Sequence, residues 1–202
     1  ENLLLGPGGF KKQISGFNVE RLGNASRSLA LGRHAFNIAR EHAINRKQFG
    51  RALCEFQGLQ WKFADMHMRL EQAQLLLYKA AMEGEHGLPS AQSTAMAKLA
   101  CNEAGWFVAN EALQVMGGMG FSQEAIVEYC VRRIRGWMIA GGSIEMLKKA
   151  ARRATGEDAS GETAGDGVTR GKTASGGAGG AGPARGSAGR GARTEAGRAT
   201  RR

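Results

Sequence analysis

Aromatic residues make up only 6% of the 202-residue chain, which also holds just three prolines and three cysteines. Each scarcity excludes something. Cys54, Cys101 and Cys130 show no pairing or metal spacing, so a disulfide framework is excluded. An odd, scattered set is what a reduced, cytosolic chain carries. No apolar run approaches the length that spans a bilayer. The opening ENLLLGPGGF lacks the basic stretch and apolar run of a signal peptide. We therefore expect a cytoplasmic protein without a membrane span. The chain opens on Glu rather than Met, and we expect a piece of a longer protein.

Positive charge is plentiful. The formal net charge is +10 and the pI about 10.1, which points to an anionic partner. Half of that excess comes from Ala151–Arg202, with ten basic and five acidic residues, no aromatic residue, and Val168 as its one large aliphatic. Such a Gly/Ala/Arg/Ser/Thr-rich segment cannot bury enough apolar surface to order itself, so 151–202 is expected to be a disordered basic tail. It lacks the aromatic platforms of single-strand binders, which disfavours nucleic acid.

The body reads as all-α. Gly6, Pro7, Gly8 and Gly9 make residues 1–15 an entry loop. A helix is predicted from about Phe17 to Asn45, with Val19, Leu22, Leu29, Phe36 and Ala43 on one broad face. After Gly50 a second helix follows, where Leu59, Phe63, Met66, Leu70, Ala73 and Leu77 form a seam. Gly84, Gly87 and Pro89 end it, and Ser90 can cap a third, from about Ala91 to Met116, with Met96, Leu99, Phe107 and Leu113 inward. Glycines at 117, 118 and 120 stop that helix. Ser122 can cap a fourth at about 123–135, and a short last one begins near Ser143. No strand pattern competes. Short connections make successive helices antiparallel, so residues 16–150 are expected to form an antiparallel four-helix bundle.

Few residues stand out chemically. Glu20 lies in the first turn of its expected helix, where a carboxylate is favoured by the dipole; its functional reading is a general base at the bundle rim. Arg46 closes the helix, where a cation is favoured anyway, yet a guanidinium also matches phosphate oxygens at two points. Gln114 precedes Gly117 and Gly118, and two glycines exceed what a helix end needs. Paired glycines also let a ligand approach the backbone. Gly141 and Gly142, in WMIAGGSIEML, raise the same question. His34, His42, His67 and His86 are too scattered for a metal cluster. Met66, Met68, Met82 and Met96 read as core gap-fillers. Gly171, Lys172 and Thr173 end like a phosphate loop, but its earlier glycine would fall at Asp166, so that reading fails.

Four stretches in order, VERLG, RKQFGRALCEFQ with ADM after it, QVMGGMGF and IAGGSIE, resemble the C-terminal helical domain of the acyl-CoA dehydrogenases over about Glu1 to Ala150. The resemblance implies FAD, an acyl-CoA substrate, α,β-desaturation by proton abstraction and hydride transfer to flavin, and a homodimer or homotetramer. It also implies an electron-transferring flavoprotein as acceptor. By that resemblance Arg46, Phe49, Gln57, Gln114, Gly117, Gly118 and Ser143 contact FAD, often that of a neighbouring subunit, and Arg21, Gly141 and Gly142 line the substrate. Many members carry the catalytic glutamate where this chain has Gly141. A branch including isovaleryl-CoA and long-chain enzymes places it directly before an arginine on the first long helix, the position of Glu20. The resemblance thus makes Glu20 the base, with Glu145 a minor competitor. Arg133 stands where the family often has aspartate after Arg132. The family's N-terminal and β domains have no counterpart here, and the competing reading is an inactive helical bundle serving only oligomerisation. Flavin monooxygenases and acyl-CoA oxidases share the fold.

Overall fold

The computed structural model describes residues 6–7, 9–84 and 89–152. The expected disorder of the tail falls on residues outside those described, apart from 151 and 152, which end the last helix. The elements are α1 (Gly9–Asn45), β1 (Lys47–Gln48), β2 (Arg51–Ala52), a 3-10 turn (Leu53–Glu55), α2 (Gln57–Met82), α3 (Ala91–Met116), α4 (Gly118–Phe121), α5 (Ile126–Ile139) and α6 (Ile144–Arg152).

α1 and α3 run parallel and pack directly, because the same order of residues meets along both. Asn18 reaches the carbonyl of Pro89, Ser28 bonds Asn102, and Gly32 touches Gly105. α2 runs back antiparallel to both and packs against both. The Phe36 and Phe63 rings meet edge-on at 5.7 Å, Arg33 pairs with Glu71, and Lys62 pairs with Glu111. α5 returns antiparallel to α3, with Ile134 beside Gly105 and the carbonyl of Trp137 reached from Asn102. The four long helices thus form the expected antiparallel bundle.

α3 is the central helix and buries nearly its whole circumference. Its buried positions are mostly small: Ala95, Ala97, Cys101, Ala104, Gly105, Val108, Ala109 and Ala112. The larger residues expected inward, Met96, Leu99, Phe107 and Leu113, are only half-buried. A helix enclosed by four neighbours cannot carry bulky side chains on every face at ordinary interaxial spacing. The crossing with α1 is the tightest point. A Cβ on Gly32 would stand 2.7 Å from the Gly105 Cα, and one on Gly105 would stand 2.5 Å from the Ser28 carbonyl oxygen.

Several sequence expectations shift. α1 begins at Gly9, not near Phe17, because the breaking glycines end there and a lone Gly16 costs a helix only about 1 kcal/mol. Val19 is exposed rather than inward. Met68 and Met82 lie on the outer side of α2, while Met66 is fully buried; two residues apart on a helix means nearly opposite sides. Strands do occur: residues 47–52 form a two-stranded antiparallel ribbon, pairing Lys47 with Ala52 and Gln48 with Arg51. Gly117 caps α3, α4 adds one turn, and Ala125 starts α5, so the Ser122 hydroxyl caps the intervening turn at Glu124 instead of α5. Ser143 starts α6 as expected, its hydroxyl accepting from the Met146 amide at 3.5 Å.

The glycine crossing yields a paired prediction. Gly105→Ala should lower the unfolding free energy by about 1–3 kcal/mol, since both clashing atoms are backbone. Gly136→Ala, in mid-α5 with nothing within 4 Å of its Cβ position, should raise it by about 0.5–1 kcal/mol. Urea denaturation of the two variants checks both signs.

Candidate functional site

The ribbon after α1 is a local device. Its two central residues, Phe49 and Gly50, have φ of 54° and 79°, the conformation a two-residue hairpin of the strand-matching type requires. Glycine adopts this without cost, whereas phenylalanine is strained there. The strain presents the Phe49 side chain outward at 93% exposure, its ring edge-on to Phe56 at 6.4 Å. Arg51 lies over the other aromatic, 3.9 Å from the Phe56 ring centre. The Leu53 amide closes the ribbon on the Arg46 carbonyl at 2.9 Å. A cavity of about 490 Å³ opens here, lined by Gln48, Phe49, Leu53, Phe56, Leu59 and Lys62. Gln57, exposed, is the first residue of α2 beside it, and Arg46 is exposed at the ribbon's base.

Gln114 is in the last turn of α3, and Gly117, at φ 61°, has nothing within 4 Å of its Cβ position, nor has Gly118. A second cavity of about 570 Å³ lies beside this turn, between Ile38, Met116, Met119 and Ile126. Because α1 and α3 are parallel, the ribbon and the Gln114–Gly118 turn sit at the same end of the bundle. The buried cluster of Ala43, Val115 and Met116, with Leu53 and Leu59 against it, joins them.

The other end holds a different set. Glu20 is exposed on α1, but because the helix starts at Gly9 it lies well past the first turn expected for it, beyond the reach of the helix-end dipole. The next residue, Arg21, donates from Nε to the Gly141 carbonyl at 2.9 Å and from Nη1 to Asn18 Oδ1 at 3.1 Å. Gly141 and Gly142 both take positive φ, 71° and 107°. The Cβ position of Gly141 is 3.1 Å from Asn24 Nδ2, and that of Gly142 is 3.8 Å from the Arg21 guanidinium. Ser143, which the resemblance groups with the cofactor residues, stands here with Arg21 and not with Phe49. About 25 residues of helix separate Arg21 from Arg46, roughly 38 Å. The candidate residues therefore form two groups at opposite ends.

Sequence reading missed Lys98. It is the largest fully buried side chain, 0% exposed, and its Nζ donates to the carbonyls of Trp137 at 3.1 Å and Gly142 at 2.9 Å. No carboxylate pairs with it among the described residues. Burial, reinforced by the nearby Arg21 charge, pulls its pKa down to about 8. Asn102 adds a third tie, from Nδ2 to the Trp137 carbonyl at 3.2 Å, and accepts from the Ser28 hydroxyl at 2.6 Å. A signal was present: Lys98 falls on the helical stripe of Thr94, Cys101, Gly105 and Val108, where a charge is out of place. Glu145 behaves as a helix-start acid, held below the usual carboxylate range by its own backbone amide and the Ser143 hydroxyl. Burial pushes the Cys101 thiol up to about 12. No group of three or more metal-ligating side chains occurs among the described residues, and no helix there is long and apolar enough to cross a membrane.

The domain is a helical bundle with an exposed aromatic ribbon at one end and a side-chain-free glycine turn at the other. Residues 7–155 match the family described as "Acyl-CoA dehydrogenase, C-terminal domain", and the chain belongs to that family. It is 41% identical over 140 residues to 3-sulfinopropanoyl-CoA desulfinase of Paraburkholderia xenovorans, covering 69% of this chain and 36% of that protein. It is 39% identical over 149 residues to the mitochondrial short-chain specific acyl-CoA dehydrogenase of Mus musculus, covering 73% and 36%. Among solved structures, butyryl-CoA dehydrogenase from Megasphaera elsdenii superimposes with a TM-score of 0.70 at 34% identity, covering 73% of this chain and 38% of that one. The chain thus spans little more than a third of the length of the relatives it matches.

Lys98 gives a pH prediction. Its folded pKa, about 8, is below the ordinary 10.5, so between those values the unfolded chain binds the proton and the folded chain does not. Unfolding free energy therefore rises with pH across that window through this group. Wild-type stability relative to Lys98→Met should increase from pH 8 to pH 10.5 and be flat below pH 7. Urea midpoints of both proteins across this range check the sign.

Proposed function

We propose that the chain is the C-terminal part of an FAD-dependent acyl-CoA dehydrogenase, with Glu20 as the base that takes the α proton of the acyl thioester. The observation that carries this reading is the strained, solvent-facing Phe49 at the ribbon tip above an apolar cavity. Strain of that kind persists where a side chain must be presented to something. The residues present suit the cofactor: Phe49 offers a flat apolar face, Arg46 a phosphate partner, and Gly117 and Gly118 a backbone without side chains in the way. When bound, FAD supplies the hydride acceptor. Glu20 stands beside Arg21, whose guanidinium is tied to the turn where many family members carry their glutamate and this chain has Gly141. A base one helix away compensates for that glycine, as in isovaleryl-CoA and long-chain enzymes.

Separation of the two groups by roughly 38 Å along α1 puts them beyond the reach of one dinucleotide within one chain. A complete site then takes Glu20, Arg21 and the Gly141–Gly142 turn from one chain and Arg46, Phe49, Gln57, Gln114, Gly117 and Gly118 from another. That requires a homo-oligomer. The outer side of α2 supports one: Trp61, Met68, Leu75 and Met82 recur every seven residues and are all exposed. An electron-transferring flavoprotein is the proposed acceptor. A bundle that binds no flavin and serves only oligomerisation is the competing reading, and the flavin absorbance of the purified chain separates the two.

A second enzymatic reading has its own support. Four 3-sulfinopropanoyl-CoA desulfinases match at 38–41% identity, and Gly141 lacks the side chain that proton abstraction from this turn would need. The same site would then act on 3-sulfinopropanoyl-CoA. Flavin reduction by a saturated acyl-CoA favours dehydrogenation; release of the sulfur group as an inorganic anion without flavin reduction favours desulfination.

In the full-length parent, Glu20→Gln should abolish flavin reduction by acyl-CoA while leaving flavin content unchanged. Undiminished reduction by that variant would sink the base assignment. Mixing Glu20→Gln with Phe49→Ala subunits should restore activity to about one quarter of wild type in a two-fold dimer, since half the chains pair and one of two sites in each pair is intact. No recovery on mixing would show that each site is built from one chain.

A further inference from the structure

The Gly141–Gly142 turn has little backbone bonding of its own. At its two edges the Ala140 amide bonds the Gly136 carbonyl and the Leu147 amide bonds the Ser143 carbonyl. The carbonyls of Gly141 and Gly142 receive their bonds from side chains, Arg21 on α1 and Lys98 on α3. Two successive glycines in left-handed conformation have the widest freedom a backbone allows. Something other than local preference must hold them in one geometry.

Lys98 is suited to that task. It reaches from the buried face of α3 to two carbonyls on either side of the turn's entry, Trp137 before it and Gly142 within it. One ammonium thus fixes the end of α5 and the turn as a unit. A buried cation normally requires a carboxylate partner, because unpaired burial is costly. Here carbonyl oxygens take that role, and the Arg21 charge nearby makes the arrangement dearer still. A methionine would fill the same space without that cost. What lysine adds at this position is therefore its donors and not its bulk.

We infer that Lys98 is a positioning residue, clamping the Gly141–Gly142 turn onto α3 so that the turn presents one fixed backbone surface to the ligand side. Arg21 completes the clamp from α1. The bearing on catalysis rests on the reading above that this turn borders the reacting acyl group; the clamp itself does not.

Nuclear magnetic resonance on the full 202-residue chain tests it. In the wild type, the Lys98 side-chain nitrogen should show through-bond coupling to the carbonyl carbons of Trp137 and Gly142. Lys98→Met should move the carbonyl resonances of Trp137 and Gly142 several-fold more than those of Leu70 and Cys101 in the core. Lys98→Gln, which keeps a donor without the charge, should recover part of that movement. Turn carbonyls unmoved in Lys98→Met overturn the clamp. Should that variant not fold, the wild-type measurement decides alone: absence of coupling to Gly142 overturns it. In the flavin-loaded parent, Lys98→Met should lower kcat at least tenfold with KM little changed. An intact clamp by resonance together with an unaffected kcat would reject the positioning role. Loss of kcat in Lys98→Met beside full activity in Glu20→Gln would retain the clamp and reject the base instead.

Discussion

The contact on which everything else is hung is the approach of two backbones, α1 at Gly32 and α3 at Gly105. At this point there is no room for a side chain on either helix: a Cβ would meet main-chain atoms at 2.5–2.7 Å. Packing two long helices this closely along parallel axes makes their far ends coincide. The end of α1, with the ribbon that follows, is brought beside the end of α3 and its glycine turn. The N-terminal half of α1, with Glu20 and Arg21, is brought beside the turn between α5 and α6. Loosen the crossing and both groups of candidate residues lose register together.

Closeness at the centre has a chemical consequence. A helix lined with alanine, glycine, serine and cysteine buries less apolar area per residue than one lined with leucine. The bundle offsets this by adding polar ties that cross between elements: Ser28 to Asn102, Asn102 to Trp137, Lys98 to Trp137 and Gly142, and Arg21 to Gly141. These ties are concentrated at one end, where the backbone is least regular. At the other end the structure relies on aromatic contacts and on local strain, with Phe49 held at positive φ and Phe56 meeting both its ring, edge-on, and the Arg51 guanidinium. One end is fixed by charge and the other presents an apolar surface.

Much of this was legible in the amino-acid order. Seam spacing on α2 and the Ser90 start and Gly117 stop of α3 are local signals, and the observed helices follow them because capping and periodicity act within a few residues. The glycine pairs beside Gln114 and at Gly141 were also visible, while Phe49 was picked out by the family resemblance alone. The orientation of α1 was not legible in full: Val19 was assigned to the core and is exposed. Near a helix end the packing partner ends too, and periodicity alone does not say where.

What the sequence determined by itself, then, is the helical class, the places where helices stop, and the family. Tertiary structure decided the rest. A two-residue ribbon is too short to leave an alternating pattern, so only the fold displays it. Lys98 falls on an apolar stripe in one dimension, but only the fold shows what its ammonium reaches, the carbonyls of Trp137 and Gly142. Likewise the division of candidate residues into two distant groups follows from the unbroken run of α1, about 25 residues, between them. Short connections already imply that α1 and α3 run the same way; what only the fold shows is how closely they approach, at Gly32 and Gly105.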